Sequence, residues 1–178
     1  MKSHHLIFLF SFLLVVSGCA SSTTLLTSDS APWSHSRLSS SEVPPVLIEQ
    51  WLIAENKDSC APVAPKSLLD WEKSTVRSAY FGGGWAIAFD TAETRSAFGI
   101  AGAGVDASGP IYDNWPVKKT WPDGSHIGYG PEGGSGPKEL AYLQIAGQGC
   151  LYNVWTHLGR DHLEELVMQL RMVDVSDL

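Results

Sequence analysis

Residues 129–139 read YGPEGGSGPKE, a glycine-rich stretch of the kind that can cradle a phosphate with backbone N–H groups. The spacing fails that chemistry. A Walker-type loop has a glycine five positions before the glycine that precedes its lysine, a Ser or Thr after the lysine, and then a helix. Here Pro131 stands five positions before Gly136, Pro137 separates Gly136 from Lys138, and Glu139 follows the lysine. Beyond it, LAYLQIA reads as a strand, so no helix N-terminus would face an anion. GIAGAG at 99–104 lacks the glycine spacing of a dinucleotide fingerprint. No nucleotide and no other cofactor is expected, and the loop reads as a connector in which two prolines bracket glycines and Glu132.

The other reactive residue types are scattered. Outside the first residues the histidines are His35, His126, His157 and His162. His157 and His162 are five apart, so they do not share a helical face as a metal-binding pair would. No G-x-S-x-G elbow is present. Asp106, Asp113, Asp123 and Glu132 all fall in expected loops, whereas glycoside hydrolysis needs two carboxylates at a defined separation. No catalytic residue and no metal ligand can be assigned.

Aromatic residues are the remaining signal, with seven tryptophans in the chain. Trp85 and Trp155 fall in strand patterns and read as core. Trp115 and Trp121 each precede a proline, in or beside loops, close in sequence to Tyr112 and Tyr129. Exposed Trp and Tyr stack on sugar rings and anchor protein interfaces. Tyr112, Asp113, Trp115, Trp121, Tyr129 and Glu132 are therefore the candidate binding residues, carried mainly by loops 106–116 and 129–137. The competing reading is that these rings plug one end of a small core.

These residues need a scaffold, and the apolar pattern supplies one. GWAIAFD alternates, with Trp85, Ile87 and Phe89 on one face and Ala86 and Ala88 on the other. In SAFGIAGAG, Phe98 and Ile100 share a face opposite Gly99 and Ala101. The hairpin 85–101 thus has one bulky face and one smooth face, and a smooth face admits a helix, another backbone or a ligand. Pro122-Asp123-Gly124 supplies the turn of a hairpin over 117–130, and GQG that of a hairpin over 140–155. Leu163, Leu166, Val167 and Leu170 form one stripe of an amphipathic helix over 160–172, with acids early and Arg171 late. Pro44-Pro45 could open a short helix before it all. The expected fold is α+β: an antiparallel sheet of about five to six strands packed by the C-terminal helix.

The N-terminus gives an address. Lys2 precedes an apolar run from Leu6 to Val16, long enough for a signal-peptide core and too short to span a bilayer. The run ends in Val16-Ser17-Gly18-Cys19, which resembles the lipobox of bacterial lipoproteins. That resemblance covers only these first residues. It implies cleavage before Cys19 and acylation there, and several acyl chains hold a protein stably on a membrane. Ala20 after the cysteine implies the outer membrane, facing the periplasm, in a Gram-negative cell. The expected organisation is a signal peptide (1–18), a lipidated Ser/Thr-rich tether (19–41) and one globular domain (42–178).

With Cys19 acylated, Cys60 and Cys150 are left in a compartment where disulfides persist, and they are expected to bond. The formal charge of −7 becomes −8 once Lys2 leaves with the signal peptide. Lys118-Lys119 is the one basic pair of any density, which argues against nucleic acid as a partner. Three functions remain open at this point: an envelope binding module for a protein or glycan, a hydrolase of cell-wall or other envelope polymers, and a structural lipoprotein without a ligand.

Overall fold

A computed structural model describes residues 27–67, 73–103, 114–134 and 136–178. The described residues include ten strands, arranged as a seven-stranded sheet and a three-stranded sheet, and two α-helices. The strands are β1 (Leu38–Ser39), β2 (Val63–Pro65), β3 (Thr75–Ser78), β4 (Trp85–Asp90), β5 (Phe98–Ala103), β6 (Val117–Thr120), β7 (His126–Pro131), β8 (Glu139–Gln144), β9 (Leu151–Thr156) and β10 (Leu170–Asp174). The helices are α1 (Pro45–Ile53) and α2 (Arg160–Gln169).

The large sheet runs β3-β4-β5-β9-β8-β7-β6 and is antiparallel throughout. All three expected hairpins form, as β4–β5, β6–β7 and β8–β9. Their turns use the expected chemistry. Asp123 Oδ1 accepts from Ser125 N at 2.9 Å, and Gly124 and Gly147 take φ of 90° and 80°. The expected strand count was too low: β3 and the pairing of every hairpin into one sheet bring it to seven.

The bulky face of this sheet holds the core. Ile87, Phe89, Phe98, Ile100 and Val154 pack against Leu47 and Ile48 of α1 and Leu163, Leu166 and Val167 of α2. Phe89 and Phe98 are direct cross-strand partners, stacked with ring centroids 4.5 Å apart. Proline at the start of α1 presets φ and removes an N–H that would have no helical partner. Gly159, at φ 98°, turns the chain into α2.

Helix α2 is shorter than the stripe implies. It ends at Gln169 rather than 172, and Leu170–Asp174 continues as strand β10. There Met172 pairs with Val63 of β2, and Val173 with Leu38 of β1. The apolar residues that prolong the helical stripe are thus bound by a sheet whose partners lie more than a hundred residues away in sequence. The Ser/Thr-rich stretch expected as tether to residue 41 is also docked from Ala31 onward. Trp33 carries too much apolar surface to stay in water: it is 5% exposed, edge-on to Trp121 at 4.9 Å, and its Nε1 donates to Ser125 Oγ at 3.1 Å. The Lys119 ammonium donates to the Ser28 carbonyl beside it.

Cys60 and Cys150 are joined and fully buried, closing a separation of 90 residues. Gly102 makes room for the bridge, since a Cβ there would collide with Cys60 Sγ and the Trp85 indole. The Cys60 carbonyl accepts from Trp51 Nε1 at 3.1 Å and from Trp85 Nε1 at 3.2 Å.

Candidate functional site

Among the described residues, no helix covers the second face of the large sheet. Alternation and register place Ala86 and Ala88 of β4, Gly99 and Ala101 of β5, Asn153 and Trp155 of β9, Leu140 and Tyr142 of β8, and Gly128 and Gly130 of β7 on it. The helices therefore chose the bulky face, and the smooth face of Ala and Gly receives aromatic rings. The Trp155 ring lies so close over Gly99, its cross-strand partner, that no Cβ would fit there. The Trp115 ring lies against Gly128, where a Cβ would come within 2.7 Å of Cδ1, and Pro116 covers Gly130. Trp115 meets Tyr142 edge-on at 5.4 Å. Glycine in these strands sacrifices side-chain packing of its own and gains a flat seat for an indole.

A cleft of about 390 Å³ opens on this face. Its floor includes Leu140, Tyr142, Asn153 and Trp155. Tyr80 and Phe81, from the β3–β4 loop, form one wall; Glu132 and Pro137, from the 131–138 loop, form another. Volumes of about 300–1,000 Å³ are typical of ligand sites. The YGPEGGSGPKE loop is thus more than a connector: it hangs from the β7–β8 hairpin through the Glu132 N–H, which donates to Lys138 O at 3.2 Å, and offers a carboxylate to the cleft.

Two electrostatic features mark the site. Burial first, and the Glu132 carboxylate second, push the Tyr142 phenol above the ordinary tyrosine range. At the rim, Ser96 is held at φ 52°, a left-handed conformation uncommon for a non-glycine residue. Its N–H donates to Asp90 Oδ1 at 2.7 Å, and Arg77, which grips Asp90 at 2.9 Å, donates to its hydroxyl. The Ser96 N–H first and Arg77 second hold the Asp90 carboxyl below its usual range.

The candidate residues separate on this map. Glu132 is exposed and lines the cleft; Trp115 is half-buried and supports Tyr142. Trp121 and Tyr129 sit apart from the cleft, buried on the opposite side of the sheet. Trp121, 2% exposed, is packed against Trp33, and Tyr129 is fully buried with its hydroxyl donating to Glu164 Oε1 at 2.9 Å. Both lie on the core side, because the alternation of Val117, Lys119 and Trp121, and of Ile127 and Tyr129, points them there. Tyr112, Asp113 and Cys19 lie outside the described residues.

Tyr80, Phe81, Ser96, Tyr142, Asn153 and Trp155 were not among the candidates. For Trp155 the signal was present. In LYNVWT the residues Leu151, Asn153 and Trp155 alternate away from Tyr152 and Val154, onto the same face as the small residues of β5. Tyr80, 93% exposed, had no periodicity to announce it. Among the described residues, no group of three or more His, Cys, Asp or Glu gathers to hold a metal, and no helix is long and apolar enough to cross a membrane. His162 is turned inward, its Nδ1 3.0 Å from Thr156 Oγ1 and its ring 4.9 Å from that of Phe98. The chain matches no protein-family model, no curated protein and no solved structure.

Proposed function

We propose that this protein is a lipid-anchored binding module of the bacterial envelope, without a catalytic role, that holds a protein or glycan partner in the aromatic cleft on the second face of its sheet. The observation that carries the binding reading is the cleft itself: Phe81, Tyr142 and Trp155 around a buried amide, Asn153, with Glu132 at the wall. Apolar rings with a few convergent polar groups are what a recognition site needs. The lipobox at Val16–Cys19 supports the anchor. The Cys60–Cys150 bond supports an oxidising compartment.

The hydrolase reading is weaker. Glu132 is the single acid among the described residues that line the cleft, and acid–base hydrolysis of a glycosidic bond uses two carboxyls about 5–9.5 Å apart. The test has two arms. Cys19→Ser should release the protein from the membrane fraction and remove the acyl mass from the intact protein. The immobilised protein should retain one species from envelope extract or purified cell wall, and Phe81→Ala with Tyr142→Ala should lose it. Retention of nothing, together with turnover of the cell wall, would replace binding with hydrolysis; retention of nothing and no turnover would leave a structural lipoprotein.

A further inference from the structure

Resting on that binding reading, we infer that the partner presents a basic polypeptide segment, and that it spans two grooves rather than one. The cleft has a neighbour. A second groove of about 430 Å³ lies between the end of α1 and the β3–β4 loop, lined by Gln50, Ile53, Glu55 and Gly83 among others. Ala79, Tyr80 and Phe81 line both grooves and form the ridge between them.

Among the described residues, three of the five large apolar side chains left exposed lie here: Tyr80 at 93%, Ile53 at 76% and Leu52 at 44%; the other two are Leu158 and Leu178. Helix α1 ends with Leu52 and Ile53 turned to solvent although its other face is already buried through Leu47 and Ile48. Large side chains left in water together mark an interaction surface.

Charge selects the occupant. Among the described lining residues each groove has one carboxylate, Glu55 in one and Glu132 in the other, and no Lys or Arg. Of the cations nearby, Arg77 is paired with Asp90 and Ser96 and Lys57 donates to the Leu52 carbonyl at 3.4 Å, while the exposed Arg95 and Lys138 stand next in sequence to the lining residues Ser96 and Pro137. Aromatic faces beside a carboxylate fit a guanidinium or ammonium carried on an apolar stem, which stacks and pairs at once. The net charge of the chain, −7, steers the same kind of partner. An acidic glycan would meet a carboxylate in both grooves.

The experiment is an NMR titration of the purified protein with an alternating alanine–arginine decapeptide. The same peptide with citrulline for arginine, and an N-acetylglucosamine oligomer, are the uncharged probes. The arginine peptide should shift the Tyr80, Asn153 and Trp155 resonances, and the citrulline peptide should bind at least about fivefold more weakly, as for loss of charge-assisted contacts. Glu55→Gln and Glu132→Gln should each weaken the arginine peptide about fivefold. Asp177→Asn, which removes an equal charge from an exposed site near the C-terminus, should weaken it less than about twofold, as expected of a screened surface charge. Equal binding of the arginine and citrulline peptides, or equal effects of all three substitutions, would overturn the inference. Shifts at the same resonances with the oligosaccharide alone would overturn it and leave the binding reading in place. Shifts with none of the probes would overturn it too, and the envelope capture experiment then decides the binding reading by itself.

Discussion

Replacing both Cys60 and Cys150 by alanine should cost the fold about 4–5 kcal/mol, the chain entropy returned to the unfolded state when a loop of 90 residues is no longer closed. The native side should change little. The strap carrying Cys60 is also held by Gly149 N–H to Ser59 O at 2.7 Å, Ala61 N–H to Gln148 Oε1 at 2.8 Å and Tyr152 O–H to Ala61 O at 2.9 Å. The loss should therefore come through the unfolded ensemble. Two signatures follow in urea. The midpoint should fall, and the slope of stability against denaturant should rise, because the open chain exposes more surface on unfolding. In a thermal scan the midpoint should drop by about 10–20 °C, at about 2–4 °C per kcal/mol for a domain of this size. Reduction of the wild-type protein should be slow under native conditions, since both cysteines are fully buried. A loss below about 1 kcal/mol with an unchanged slope would refute the reasoning, because a bridge of this span that leaves the unfolded chain as free as before is not closing the loop.

Other changes test how the faces of the sheet are built. Gly99→Ala should displace the Trp155 ring and cost about 1–3 kcal/mol by overpacking, with the Trp155 indole resonance moving most. Trp33→Ala should cost about 3 kcal/mol and should open the chain before Val43 to limited proteolysis, because Trp33 holds that stretch on Trp121 and Ser125. High pH should destabilise the protein. Burial raises the Tyr152 phenol, and burial followed by the Glu164 contact raises that of Tyr129. The folded state then holds protons that the unfolded state releases, so stability is full below about pH 10 and falls above it. Denaturant midpoints between pH 8 and pH 11 check this, and Tyr152→Phe should flatten the decline.

The hairpins, the C-terminal helix and the disulfide were legible in the sequence because each has a local cause. Alternation fixed the faces of β4 and β5, Asp123-Gly124 and Gly147 made turns, and Cys60 and Cys150 are the two thiols outside the lipobox-like stretch. The three-stranded sheet was not legible. Its strands are two to five residues long, and β10 keeps the apolar spacing of the helix before it, so only contact with Leu38 and Val63 decides its backbone. The site was legible in part. The smooth face of Ala and Gly and the Glu132 loop were visible, whereas Trp121 and Tyr129 stand beside prolines and glycines typical of loops while their strand parity points inward. Trp155 falls in a strand, where a tryptophan generally belongs to the core, but its parity with Asn153 and Gly99 places it on the opposite face. Tyr80 and Phe81 follow Ala79 in a loop, where no period speaks.

The role of the second sheet face can be tested where the protein works. A photoreactive phenylalanine analogue placed at Tyr80 or Tyr142, in living cells of the host, should cross-link one partner on illumination. The same analogue at Ser67 or Asp177, exposed positions that line neither groove, should give none of that adduct. Adducts forming as readily at 67 and 177, or absent at 80 and 142 while present elsewhere, would contradict it.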